Sequence, residues 1–143
     1  MAEFTYNPIQ LVEDGDDILF NTNIGCNRGY VLHRNESGVV TLRGIVNNPC
    51  ANFARYQCTF NGNIAVPTGG TVEEISVAIS IDGSPIQTSR ARVTPAAVEN
   101  YFNVTCTCFV DTAVGCCDTI SVENVSGQSI NVQNANLVVA RVA

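Results

Sequence analysis

The chain has 143 residues, of which 45% are hydrophobic and 14% are charged, and its seven basic residues are all arginines. This length suits one domain with a substantial core, and the hydrophobic content excludes a disordered chain. The net charge of −6, with arginines scattered along the sequence, argues against a nucleic-acid partner. The sequence also lacks an apolar stretch long enough to cross a membrane.

Short predicted strands separated by turn residues follow one another along nearly the whole chain. Asp14-Gly15-Asp16 separates the first two strands, Asn61-Gly62 is predicted to end the fifth, and Asp82-Gly83 is typical of a hairpin turn. About nine or ten strands in a chain of this length are typical of a sandwich or barrel. The predicted strands cover residues 9–12, 18–20, 29–34, 39–46, 53–60, 75–81, 85–93, 104–110, 119–125 and 130–142.

Residues 75–81 show the clearest strand pattern, since isoleucine or valine alternates there with small or polar residues. This alternation predicts a half-buried strand, and residues 85–93 are predicted to be its more exposed return strand. In residues 104–110 the same alternation places Thr105, Thr107 and Phe109 on one face. Residues 94–100 could start a short helix, but we interpret them as a single turn or loop that crosses one end of the sandwich.

We divide the chain into an N-terminal arm with the first short strand, residues 1–16, and the main β-sandwich domain, residues 17–143. The arm is expected to serve in docking or in exchange between subunits. Because the first residues lack the basic and apolar regions of a signal peptide, we expect synthesis in the cytoplasm.

The last predicted strand is apolar on both faces. One face of a strand in a two-layer sandwich packs against the core, so its other apolar face must be buried against something outside the sandwich. We expect a neighbouring subunit to supply this cover, and the alternative is a central strand partly covered by loops. The candidate interface residues are Leu137, Val138, Val139, Ala140 and Val142.

The seven cysteines are too many to be incidental in a reducing cytosol. We expect disulfides or buried core thiols, and the odd number leaves at least one thiol free or bonded to another chain. Cys106-x-Cys108 and Cys116-Cys117 offer zinc-ligand atoms, but their spacing departs from that of structural zinc sites, so we favour thiols over a metal. The candidate residues are Cys26, Cys50, Cys58, Cys106, Cys108, Cys116 and Cys117.

We expect no catalytic activity and no cofactor. His33 is the single histidine of the sequence, and without a neighbouring nucleophile motif we interpret it as a surface or strand-edge residue. The acidic residues at 13–17 suggest a calcium-binding site at first sight. They lack the ordered ligand spacing of an EF-hand loop, so we prefer a solvated acidic turn.

Several runs of the sequence occur in a recognisable order. They are an acidic turn leading into residues 18–21, and then residues 38–44, 77–83, 118–124 and 136–140. In this order they resemble the tumour-necrosis-factor/C1q-like (TNF/C1q-like) trimeric jelly rolls of bacterial spore surfaces and of phages. Residues 7–10 and 94–102 are also similar to segments of small phage proteins, some of which resemble capsid decoration or head-fibre components.

This resemblance implies an all-β, two-sheet antiparallel jelly roll that forms a homotrimer. It also implies a non-enzymatic structural protein of a phage virion, which decorates the capsid or forms a head-fibre or fibre-base module and contacts other virion proteins. The alternative is a surface-displayed recognition trimer, lectin-like or adhesive, on a spore or cell, with surface glycans as partners. Neither function involves nucleic acid or a membrane.

Overall fold

The computed structural model describes residues 2–25, 31–33, 37–43, 53–113 and 117–142. These residues form twelve strands and one 3₁₀ turn, Gln87–Ser89, and contain no α-helix. A helix long and apolar enough to cross a membrane is therefore absent from them. The strands are β1 Ala2–Tyr6, β2 Gln10–Val12, β3 Thr22–Gly25, β4 Val31–His33, β5 Val40–Arg43, β6 Phe53–Ala65, β7 Ile75–Ile81, β8 Ser84–Pro85, β9 Ala91–Val93, β10 Phe102–Ala113, β11 Cys117–Asn124 and β12 Ile130–Arg141.

The strands form two antiparallel sheets that enclose one hydrophobic core. Sheet A has the order β10-β6-β12-β1-β3, with β2 paired to the first residues of β12. Sheet B has the order β4-β5-β11-β7-β8, with β9 paired to β7. This architecture confirms the predicted all-β, two-sheet jelly roll. The core contains side chains from both sheets, among them Phe4, Tyr56, Phe60, Leu137, Leu42, Ile79 and Ile120.

The long strands of sheet A alternate between the core and the outside. In β6 the residues of even number, from Ala54 to Ile64, are buried. In β12 the parity changes at a β-bulge between Gln133 and Asn136, where Asn134 adopts a φ of 55°. A bulge adds one residue to a strand and so reverses which positions face inward.

Strand β7 has the predicted bounds, but the prediction of a half-buried strand is wrong. Six of its seven residues are buried, because β7 lies inside sheet B between β11 and the short strands β8 and β9. Its outward residues are small and covered by polar side chains. Ser76 Oγ accepts a hydrogen bond from Arg90 Nε at 2.9 Å, and Ser80 Oγ donates to Glu123 Oε2 at 3.2 Å.

The fifth predicted strand, residues 53–60, corresponds to β6. Its predicted end at Asn61-Gly62 is also wrong, because β6 continues to Ala65. A Cβ atom at Gly62 would lie 2.8 Å from the Phe60 ring and 3.6 Å from the Cα of Ala135. Gly62 therefore permits the close approach of β6 to the bulged part of β12, and does not form a turn.

The predicted return strand at 85–93 consists of β8, the 3₁₀ turn and β9. Both strands pair with β7, and the turn between them brings Ser89 into the sheet. Ser89 Oγ accepts a hydrogen bond from the Ile79 backbone N–H at 3.0 Å. This hydroxyl takes the place of a backbone partner where the return strand is interrupted.

Residues 2–16 do not form a projecting arm. Strand β1 lies between β12 and β3 in sheet A, and the Phe4 side chain is 0% exposed. Residues 18–20 form no named strand, although Ile18 and Phe20 are buried in the core. His33 lies on the edge strand β4, as predicted, but it is buried beside Phe4 with the ring centroids 4.7 Å apart.

Residues 94–100 form a turn and loop, as predicted. Glu99 organises this segment with a φ of 57° and a backbone N–H that donates to Val66 O at 2.8 Å. Its carboxylate accepts hydrogen bonds from Thr68 N at 3.0 Å, Asn131 Nδ2 at 3.2 Å and Tyr101 OH at 3.3 Å. One side chain thus ties together two loops and the beginning of β12.

Replacing Glu99 with alanine is expected to loosen this end of the sandwich. The loss of several charge-assisted hydrogen bonds at an exposed site lowers the free energy of unfolding by about 1–2 kcal/mol. Urea denaturation measures the loss, and limited proteolysis is expected to cut near residues 94–101. The control is Glu74→Ala, which removes one exposed ion pair of 3.5 Å with Arg92 and is expected to cost less than about 0.5 kcal/mol. Equal effects of the two variants would contradict this role of Glu99.

Candidate functional site: the outer face of sheet A

The outer face of sheet A consists of the side chains of β6, β10 and β12 that point away from the core. The register aligns them in rows across the three strands. Phe109, Gln57 and Ala140 form one row, and the next row contains Thr107, Thr59 and Val138. The predicted placement of Thr105, Thr107 and Phe109 on one face is confirmed, because all three are exposed while Val104 and Val110 are buried.

One end of this face carries two exposed aromatic rings and an arginine, which we name the arginine–aromatic cluster (Phe53, Arg55, Phe109 and Asp111). Phe109 is 61% exposed and Phe53 is 41% exposed. The guanidinium carbon of Arg55 lies 5.2 Å from the Phe53 centroid and 6.0 Å from the Phe109 centroid. These distances fall within the range of cation–π contacts.

Asp111 completes the cluster by accepting two hydrogen bonds from Arg55, from Nε at 2.8 Å and from Nη2 at 3.1 Å. These bonds raise the pKa of Arg55 and lower the pKa of Asp111. Both groups therefore stay ionised near neutral pH and neutralise each other. The cluster therefore presents an aromatic surface without net charge to a partner.

Beyond the cluster, the face continues as a ladder of neutral polar side chains. Thr59 and Thr107 share a hydrogen bond of 3.1 Å across β6 and β10. Asn103 Nδ2 donates to Asn61 Oδ1 at 2.7 Å and to Asn63 Oδ1 at 3.2 Å. Because these polar groups already have partners within the face, covering them costs less free energy than covering unpaired groups.

The structure separates the predicted interface residues into two sets. Leu137 and Val139 are 0% exposed and belong to the core of a single chain, so they have no free surface for a partner. Val138 and Ala140 lie half-buried on the outer face, and Val142 is exposed just after β12. Strand β12 is also a central strand, between β6 and β1, as the alternative interpretation had it.

Cys58, Cys106 and Cys108 are free thiols, and the described cysteines differ in exposure. Cys58 and Cys106 are buried, Cys108 is half-buried and Cys117 is exposed, whereas Cys26, Cys50 and Cys116 lie outside the described residues. Burial raises the pKa of Cys106 to about 12 and that of Cys108 to about 11. Among the described residues, no group of three or more acidic, histidine or cysteine side chains is placed to hold a metal ion.

The acidic residues at 13–17 form part of a turn that packs against the end of β11. Asp14 Oδ1 accepts a hydrogen bond from Gly127 N at 2.9 Å, and Gly15 N donates to Asn124 O at 2.9 Å. Burial raises the pKa of Asp17, which a hydrogen bond from Ser121 partly offsets. These contacts give Asp14 a structural role in joining two turns.

A second group of acidic residues, the pair Asp82 and Asp118, lies at the hairpin after β7. A hydrogen bond from the Thr119 backbone lowers the pKa of Asp82, whereas burial and the adjacent Asp82 raise the pKa of Asp118. Asp82 Oδ1 also accepts from Thr119 Oγ1 at 3.1 Å, so this carboxylate fixes the hairpin against β11.

Two open clefts lie on either side of the exposed Leu11. The larger, about 410 Å³, is bounded by residues 67–71 and 128–129, and the smaller, about 300 Å³, extends from Leu11 to Leu19 and Gly38. Gln10 lines the smaller cleft, and its side-chain amide donates to Leu19 O at 3.1 Å and accepts from Leu19 N at 2.9 Å.

No protein-family model and no curated protein matches this sequence. Among solved structures, the globular domain of zebrafish complement 1qA protein aligns over 96% of this chain and 94% of its own length, with 11% identity and a TM-score of 0.60. Murine APRIL aligns over 92% of this chain and 96% of its own length, with 10% identity and a TM-score of 0.53. The protein therefore has the TNF/C1q-like jelly-roll fold, as the resemblance of its sequence segments to such domains predicted.

Proposed function

We propose that this protein is a non-enzymatic structural module that assembles through the outer face of sheet A into a homotrimer. The observation that carries this proposal is the arginine–aromatic cluster, which exposes two phenylalanine rings beside an internally neutralised ion pair. A second copy of the chain is the partner that fits, because a face with little net charge does not repel its own copy.

The composition of the face supports self-association. Protein interfaces are enriched in aromatic residues and arginine and depleted of lysine and acidic residues, and their strongest contacts centre on buried aromatic and arginine side chains. Phe53, Arg55 and Phe109 have this character, and Val138 and Ala140 extend it with small apolar side chains. The trimeric order follows from the resemblance of the sequence to trimeric jelly rolls.

Native mass spectrometry and light scattering test this assembly. The wild-type chain is expected to have three times its 15.3 kDa mass. Phe109→Glu places a charge within the arginine–aromatic cluster of the proposed interface and is expected to raise the dissociation constant by about 30-fold or more. The matched control is Phe102→Glu on the opposite pleat of β10, since Phe102 is also a partly exposed phenylalanine, at 39%. A monomeric wild-type chain, or equal dissociation of both variants, would contradict the proposal.

We propose the virion of a phage as the place where the module works, as capsid decoration or as a head-fibre or fibre-base component. The resemblance of residues 7–10 and 94–102 to phage proteins supports this location, and so do cysteines suited to a particle completed outside the cell. Quantitative mass spectrometry of purified particles is expected to find the chain at a stoichiometry comparable with capsid proteins. Its absence from the particles would refute this location.

A second candidate function is recognition of surface glycans by the same trimer. The cleft of about 410 Å³ beside Leu11 favours it, because three residues that carry hydroxyl groups, Thr68, Thr71 and Ser129, line it together with the apolar Leu11. Sugars combine hydroxyl groups with apolar ring faces, so they match this chemistry. A glycan array is expected to show saturable binding that Leu11→Ala weakens, and an array without binding would exclude this function.

A further inference from the structure

Three cysteines lie on the inward pleat where β6 and β10 pair. Cys58 in β6 is directly opposite Cys108 in β10, and Cys106 is opposite Phe60. Directly opposite residues of antiparallel strands have Cα atoms about 4.5–5.5 Å apart. A disulfide needs a Cα separation of about 4.4–6.8 Å, so the register already provides the separation that a bond between Cys58 and Cys108 requires.

The same geometry disfavours the other pairings of these three thiols. Cys106 lies diagonally from Cys58, at a Cα separation of about 7–8 Å, which exceeds the disulfide range. Cys106 and Cys108 are two residues apart on one strand, about 6.6 Å, and their Cβ atoms point in the same direction. The register therefore singles out one pair.

We propose that Cys58 and Cys108 form a cross-strand disulfide when the protein meets an oxidising disulfide such as oxidised glutathione. Because β10 is the last strand of sheet A in the described part of the chain, the bond would fasten this edge strand to β6 beside Phe109. The proposal is independent of the oligomeric state and of the proposed function.

The reaction starts at Cys108, the more exposed thiol of the pair. Its thiolate, formed by proton loss to solvent, attacks one sulfur of glutathione disulfide and releases one glutathione as a mixed disulfide forms. The Cys58 thiol then loses its proton, and its sulfur attacks the Sγ atom of Cys108 and releases the second glutathione. Two cysteine sulfurs are thereby oxidised, and one glutathione disulfide is reduced to two thiols.

The rate of this reaction is expected to depend strongly on pH. Burial raises the pKa of Cys108 to about 11, so its thiolate is scarce at neutral pH. Below that pKa the thiolate fraction, and with it the initial rate, grows about tenfold for each unit of pH. The bond therefore forms slowly at neutral pH and is stable once formed in an oxidising environment.

Peptide mapping tests the pairing on the full-length chain. Trypsin cleavage after Arg55, Arg90, Arg92 and Arg141 leaves Cys58 alone on residues 56–90 and places Cys106 and Cys108, with Cys116 and Cys117, on residues 93–141. After oxidation with glutathione disulfide at pH 8.5 and alkylation of remaining thiols, a disulfide between these two peptides is expected. Cys106→Ala is expected to retain this link, and Cys108→Ala is expected to lose it.

Thermal unfolding supplies a second measurement. The bond closes a long loop in the unfolded chain and is expected to raise the melting temperature of oxidised Cys106→Ala by about 10 °C over its reduced form. This rise is expected to be absent from Cys108→Ala. Failure to detect the linked peptides in the wild-type chain, or their persistence in Cys108→Ala, would overturn the proposal.

Discussion

Replacing Asn124 with alanine is expected to lower the free energy of unfolding by about 3 kcal/mol and the melting temperature by about 10 °C. Asn124 is 0% exposed at the end of β11. Its Nδ2 donates to Val12 O at 3.0 Å and to Gln128 O at 2.8 Å, and its Oδ1 accepts from Ser126 N at 3.0 Å. Alanine leaves these buried or half-buried backbone groups without their partner, and this unpaired state accounts for the size of the expected loss.

Urea denaturation followed by circular dichroism measures this effect. Asn7→Ala is the matched control, because it makes the same chemical change at an exposed position and is expected to alter stability by less than about 0.5 kcal/mol. A loss below about 1 kcal/mol for Asn124→Ala would show that solvent replaces the amide and that the two segments it joins, the end of β2 and the turn between β11 and β12, do not depend on it.

The second large effect is expected at Phe4 in β1. Phe4→Ala removes a fully buried ring that packs in the core against His33, and is expected to cost about 4 kcal/mol in the free energy of unfolding. The neighbouring Thr5 lies on the other pleat and is half-buried, so Thr5→Ala is expected to cost less than about 1 kcal/mol.

This pair of variants distinguishes a structural strand from a mobile arm. If residues 1–16 acted as a free arm, both substitutions would leave the unfolding transition unchanged. In the sheet arrangement, only Phe4→Ala shifts the urea midpoint, and the N-terminal residues of that variant become sensitive to protease. Comparable small shifts in both variants would contradict the place of β1 between β12 and β3.

Much of the candidate site was present as a sequence signal. The alternation at 104–110 placed Phe109 on the face opposite Val104 and Val110. The apolar residues at 137–142 indicated a strand that is buried on both faces. The arginine–aromatic cluster itself could not be predicted. Phe53 and Arg55 meet Phe109 and Asp111 only because β6 and β10 pair in one particular register, and that register joins residues more than fifty positions apart.

The local pattern misled the prediction at two further places. Asn61-Gly62 has the composition of a turn, but a glycine is needed there for close packing of Phe60 and the bulged strand β12. Residues 2–6 carry too weak an alternation to identify a central strand, and their place in sheet A depends on pairing with residues 135–139 at the other end of the chain.

By itself, the sequence determined the all-β class, the hairpin at Asp82-Gly83 and the inward or outward direction of residues 104–110. These features depend on local periodicity and on turn residues, which are visible within a few neighbouring positions. The tertiary structure alone decided which strands are neighbours, that β1 belongs to sheet A, that Leu137 and Val139 serve the core, and that Cys58 faces Cys108. Strand pairing depends on contacts between distant residues and on bulges that reverse the alternation, and neither is encoded in the local period of a strand.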